Sequence, residues 1–150
     1  MALFYLETSA LVKLYVREPG TEQLLKLVSR TGNHRFAVLT LSKVEFHSAI
    51  RRREREGDID PLLAHRLLDR FGKHMETKFV KQVMNESVLD LAASLVGQHP
   101  LRAYDAVQLA GCLTLREGSR PDSPTFISSD QRLIQVAKAE GLPSMDPSAP

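Results

Sequence analysis

The chain has 150 residues, of which 43% are hydrophobic and 25% charged, and a formal net charge of +2. That length fits one domain able to fold without disulfide or metal, and the mildly basic balance permits nucleic acid as a partner without demanding it. The single cysteine, Cys112, excludes an internal disulfide and fits a reducing compartment. The first residues lack the basic and apolar regions of a signal peptide, and no apolar run approaches the roughly 20 residues of a membrane span, so the cytoplasm is the expected location.

Residues 3–6 (LFYL) form a short apolar run with the aromatic content of a buried strand. The run stops on Glu7, and Ala10, Leu11, Leu14 and Tyr15 follow at helical spacing. Pro19-Gly20 marks a turn, residues 21–30 an amphipathic helix, and Thr31-Gly32-Asn33 its end. Residues 36–41 (FAVLTL) predict a second buried strand. Ser42 then opens a long helix with a charged end, Arg51, Arg52, Arg53 and Arg55, closed by Gly57. Asp60-Pro61 starts the next helix, since proline suits the first helical position. Residues 78–83 predict a third strand, and Asn85 caps a helix that His99-Pro100 breaks. Residues 103–116 predict an apolar helix buried on most faces, residues 125–128 (TFIS) a fourth strand, and residues 130–140 the last helix, stopped by Gly141. The segment from Pro143 holds three prolines and is expected to be a partly disordered tail, giving one domain over 1–142 and a tail over 143–150. Strands alternating with helices predict a parallel sheet covered on both faces.

Four acids stand out, and each has an ordinary local role. Glu7 precedes a helix, where an acid favours the N-terminus. Glu45 lies three residues after Ser42, so SKVE also reads as a capping box. Asp105 falls in the first turn of its helix, and Asp130 can cap the last one. Those roles leave their common placement unexplained. Glu7, Glu45 and Asp130 each follow a strand closely, and Asp105 opens a buried helix. In a parallel sheet, strand C-termini and helix N-termini share one edge, where ligands bind. Four carboxylates converging there repel one another unless a cation is present. Hard oxygen ligands select Mg²⁺ or Mn²⁺, and such a pocket suits metal-assisted attack of water on a phosphodiester. The hydroxyls of Ser9 and Ser128 could orient ligands or waters. No phosphate-cradling glycine motif and no GxSxG elbow occur, which argues against a nucleotide cofactor and a serine hydrolase.

Four stretches resemble the motifs of PIN-domain nucleases. YLETSALVKLY is similar to the first, which normally carries an aspartate where this chain has Glu7. LSKVEFHSAI resembles the second, with Glu45; LRAYDAVQLA the third, with Asp105; and TFISSDQRLIQVAKAEGL the fourth, with Ser128 two residues before Asp130. The four occur in order over about residues 2–142. The resemblance implies a three-layer α/β/α sandwich and is strongest to VapC-type toxins of toxin–antitoxin pairs. It further implies an endoribonuclease that binds Mg²⁺ or Mn²⁺ through Glu7, Glu45, Asp105 and Asp130, forms a homodimer and is blocked by a cognate antitoxin. The alternative, motivated by Glu7, is a PIN-like module with little or no catalysis that binds RNA or a protein partner.

Overall fold

A computed structural model describes residues 2–30 and 34–149. The expected helix stop at 31–33 lies outside the described residues. Among the described residues there are five strands and seven helices. β1 spans Leu3–Leu6, followed by α1 (Thr8–Val12), α2 (Thr21–Ser29), β2 (Arg35–Leu39), α3 (Ser42–Arg55), α4 (Pro61–Thr77) and β3 (Val80–Gln82). Then come α5 (Glu86–Gln98), α6 (Ala103–Gly118), β4 (Thr125–Ile127), α7 (Gln131–Ala139) and β5 (Ser144–Met145). The strands form one sheet, all parallel, in the order β3-β2-β1-β4-β5.

Strand alternation divides the core in two. On one face, Leu3, Tyr5, Ala37, Leu39 and Phe126 pack against α5, α6 and α7. On the other, Leu6, Phe36, Val38 and Ile127 pack against α1, α2, α3 and α4. Burial of both sheet faces is why the three central strands β1, β2 and β4 read as nearly continuous apolar runs rather than alternating ones. The result is a three-layer α/β/α sandwich, as expected from the motifs.

The winding positions the site. From the central β1 the chain moves outward to β2 and β3, then returns to the other side of β1 for β4 and β5. The sheet order therefore reverses between β1 and β4, which opens a crevice at their C-terminal ends. Glu7 leaves β1 there, with its backbone N–H bonded to the Ile127 carbonyl at 3.0 Å.

Local signals set most boundaries. Asp60 caps α4 through the Leu63 N–H at 2.7 Å, and Asn85 caps α5 through the Val88 N–H at 3.0 Å. Gly57 and Gly141, at φ +82° and +86°, take the left-handed conformation that ends α3 and α7. Three expectations change. The first helix is one short turn, and residues 13–16 continue as turns. The SKVE capping box does not form: Leu41 is the N-cap of α3, and the Ser42 and Glu45 side chains turn into the protein. The segment expected as a loose tail contributes β5, because β4 would otherwise be an edge: the Phe126 and Ser128 N–H groups reach the Pro143 and Met145 carbonyls at 2.8 and 3.1 Å.

Candidate functional site

Glu7 is the most deeply placed of the four acids, 7% exposed at the end of β1. Its Oε2 accepts from the Ser9 N–H at 3.0 Å, from the Ser9 hydroxyl and from the Ser128 hydroxyl at 2.9 Å. Ser9 Oγ also accepts from the Ser129 N–H at 2.9 Å, and Ser128 Oγ from the Asp130 N–H at 3.0 Å. The two serines thus tie the ends of β1 and β4 together around one carboxylate oxygen. Burial raises the Glu7 carboxyl to about 7, and the nearby Glu45 adds to the rise, while the serine hydrogen bonds oppose it.

Glu45 lies in the first turn of α3, half-buried. Its Oε1 accepts from the Thr8 hydroxyl at 2.8 Å and from Gln108 Nε2 at 2.6 Å. Asp105 lies in the first turn of α6, half-buried, and is pushed upward by burial and by the charges of Asp130 and Glu45, against the pull of Arg102. Asp130 is exposed and caps α7, its Oδ1 accepting from the Arg132 and Leu133 N–H groups at 3.0 and 3.2 Å. Among the described residues none of the four makes an ion pair.

The sequence placed all four in one cleft. The structure brings them to one sheet edge but in two adjoining hollows. Glu7 and Glu45 line a cavity of about 560 Å³ with Ser9, Lys13, Arg53 and Tyr104. Asp105 and Asp130 line a second of about 360 Å³ with Arg102 and Arg132. Charge links the hollows, since Glu45 acts on both Glu7 and Asp105.

The model of the PIN domain family matches residues 4–139. The chain belongs to the PIN domain family. Two similar proteins are ribonucleases of Mycobacterium tuberculosis. VapC47 (strain CDC 1551 / Oshkosh) is 29% identical over 149 residues, covering 98% of both chains. VapC35 (strain H37Rv) is 31% identical over 147 residues, covering 97% of both. The fold is also similar to a chain of a toxin–antitoxin complex from Klebsiella pneumoniae, at TM-score 0.64, 16% identity and 98% coverage of each chain.

The donor chemistry of this PIN domain fits a hard divalent cation. Glu7, Glu45 and Asp130 each have one carboxylate oxygen held by protein donors, and among the described residues the other oxygen has no such partner. Asp105 has both oxygens free of protein donors by the same measure. Oxygen ligands oriented by outer hydrogen bonds are what Mg²⁺ and Mn²⁺ sites require. The spacing is looser than the chemistry: among the described residues no three His, Cys, Asp or Glu side chains gather closely enough to hold one ion.

Gln108 is the site residue that the motif reading of this PIN domain missed. It is 1% exposed on α6, bonds to Glu45, and reaches Thr8 Oγ1 at 3.1 Å and Ser42 Oγ at 3.0 Å. The signal was present: a single amide in the otherwise apolar run of α6 must find partners, because buried polar groups are hydrogen-bonded.

Proposed function

We propose that this PIN domain is a metal-dependent endoribonuclease that cleaves RNA phosphodiesters, and that it is the toxin of a type II toxin–antitoxin pair. The observation that carries this reading is the arrangement of Glu7, Glu45, Asp105 and Asp130: four carboxylates at the switch point of a parallel sheet, which among the described residues have no ion-pair partner and each keep at least one oxygen directed to no protein donor. The similarity to ribonucleases VapC47 and VapC35 over nearly the whole chain supports the toxin assignment. The toxin–antitoxin complex of similar fold supports a cognate antitoxin as partner. The same reading includes a homodimer acting in the cytoplasm; among the described residues no helix is long and apolar enough to cross a membrane.

Glu7, Glu45, Asp105 and Asp130 would hold Mg²⁺ or Mn²⁺. When bound, the cation neutralises phosphate charge and makes water a better nucleophile. The remaining work is done by the chain. Ser9 and Ser128 fix the Glu7 carboxylate from both sides, so its free oxygen has one direction. Gln108 and Thr8 do the same for Glu45. Asp105 and Asp130, across the shared edge, complete the acidic lining, and burial with the charges of Asp130 and Glu45 pushes the Asp105 carboxyl upward.

One observation favours a second reading. Glu7 is buried and carries its proton up to about pH 7, which opposes metal binding and suits a module that binds RNA or protein with little catalysis. Purified protein, freed of partner, incubated with a labelled RNA pool in Mg²⁺, Mn²⁺ or EDTA distinguishes the two. Metal-dependent cleavage that disappears in Asp105→Asn establishes the nuclease. Folded protein that cleaves in no metal rejects it and leaves the binding module.

A further inference from the structure

The larger hollow has a cationic wall that the acidic site does not use. Lys13, at the end of α1, and Arg53, on α3, line the same 560 Å³ cavity as Glu7 and Glu45. Both point at one carboxylate, that of Glu18. Lys13 Nζ lies 3.3 Å from Oε1, and Arg53 Nη2 pairs with Oε2. The Lys13 side chain is 8% exposed, those of Arg53 and Glu18 22% and 23%. Arg52 lines the cavity too and, among the described residues, makes no ion pair.

We infer that Lys13 and Arg53 are the subsite that takes a phosphate of the RNA strand beside the acids, with Glu18 as the resident counter-ion that the phosphate displaces. This rests on the nuclease reading above. The chemistry matches atom for atom. Glu18 presents two oxygens, one to the ammonium and one to the guanidinium, and a phosphodiester presents two non-bridging oxygens with the same net charge. An ammonium and a guanidinium are both strong phosphate donors. A lysine this buried needs an anion close by, since an unpaired buried charge is costly. Glu18 supplies that anion when no RNA is present. Its segment, between α1 and α2, is partly exposed, so the carboxylate can turn to water when a phosphate arrives.

A purely structural ion pair predicts no such gain. Removing the Glu18 charge would then loosen the segment and leave RNA binding unchanged. Fluorescence anisotropy of a labelled single-stranded RNA oligonucleotide in EDTA, where no cleavage occurs, reads the difference over a salt series. Glu18→Gln is expected to tighten binding by about threefold to tenfold, and Lys13→Met and Arg53→Gln to weaken it by about tenfold. Each cation lost should lower the slope of log K against log salt by about 0.7, and Arg53→Lys should retain it. Thermal melting on the same samples reports folding. Lys13 is buried, so if Lys13→Met does not fold, Arg53→Gln on its partly exposed side chain decides. Unchanged affinity and slope in the cation variants, with Glu18→Gln merely less stable, overturns the subsite. Wild-type protein that binds no RNA overturns it as well. Cleavage by wild type in Mn²⁺, measured in parallel, keeps the fate of the nuclease reading separate from both outcomes.

Discussion

Gln108 donates from Nε2 to Glu45 Oε1 at 2.6 Å while its own Oε1 accepts from the Tyr5 hydroxyl at 2.8 Å. One buried amide thereby connects the central strand to an acid of the candidate site. Replacing it by Leu leaves the Tyr5 hydroxyl without its acceptor and Glu45 Oε1 with the Thr8 hydroxyl alone. Gln108→Leu is expected to cost about 1–3 kcal/mol of stability and to lower RNA cleavage by loosening Glu45. Denaturant unfolding and single-turnover cleavage check this; an unchanged midpoint would show that the amide holds nothing.

Glu7 makes stability depend on pH in an unusual direction. Its folded-state carboxyl lies at about 7, above the ordinary value of 4.5, so the folded chain binds the proton more tightly than the unfolded one. The contribution is fully present below about pH 4.5 and is lost as pH rises through 7, amounting to about 3 kcal/mol at most. Glu7→Gln keeps the shape without the titration. Its stability relative to wild type should rise between pH 5 and pH 8, and parallel unfolding curves for the two proteins at both pH values would contradict the assignment.

Metal binding should be coupled to the same proton. A divalent ion needs Glu7 ionised, so Mn²⁺ is expected to raise the melting temperature more at pH 8 than at pH 6, and to release a proton near neutrality. EDTA should reverse the rise. Asp105→Asn should reduce it strongly. A Mn²⁺ shift of equal size in Asp105→Asn would remove that residue from the ligand set.

Gly111 lies where α6 packs tightly on the sheet. A Cβ there would lie 2.8 Å from Leu39 Cδ1 and 2.8 Å from the Tyr5 hydroxyl oxygen. Gly111→Ala is expected to destabilise the fold by about 1–3 kcal/mol through overpacking, despite the higher helix propensity of alanine. Because Tyr5 holds Gln108, the substitution should also reduce cleavage; a variant that melts at or above wild type would show that α6 can shift freely.

Much of this was legible in the residues themselves. Short apolar runs ending on Glu7 and Ser128 and helices opened by Asp60-Pro61 and Asn85 are local features, so burial on both sheet faces and cap chemistry make them readable one segment at a time. The place of the four acids at strand and helix ends was readable for the same reason. What depended on the tertiary structure was everything set by contacts between segments far apart in the chain. The strand β5 exists because β4 needs an edge partner, not because Ser144 and Met145 favour one. The grouping of the acids, Glu7 with Glu45 in one hollow and Asp105 with Asp130 in another, is set by how α3, α6 and α7 pack at the sheet edge. Glu45 does not make the cap that its spacing offered: Leu41 is the N-cap, and the Glu45 carboxylate instead accepts from Gln108, 63 positions away. Local sequence sets which groups are available; only the packing of α3 and α6 against the sheet decides which of them must satisfy one another.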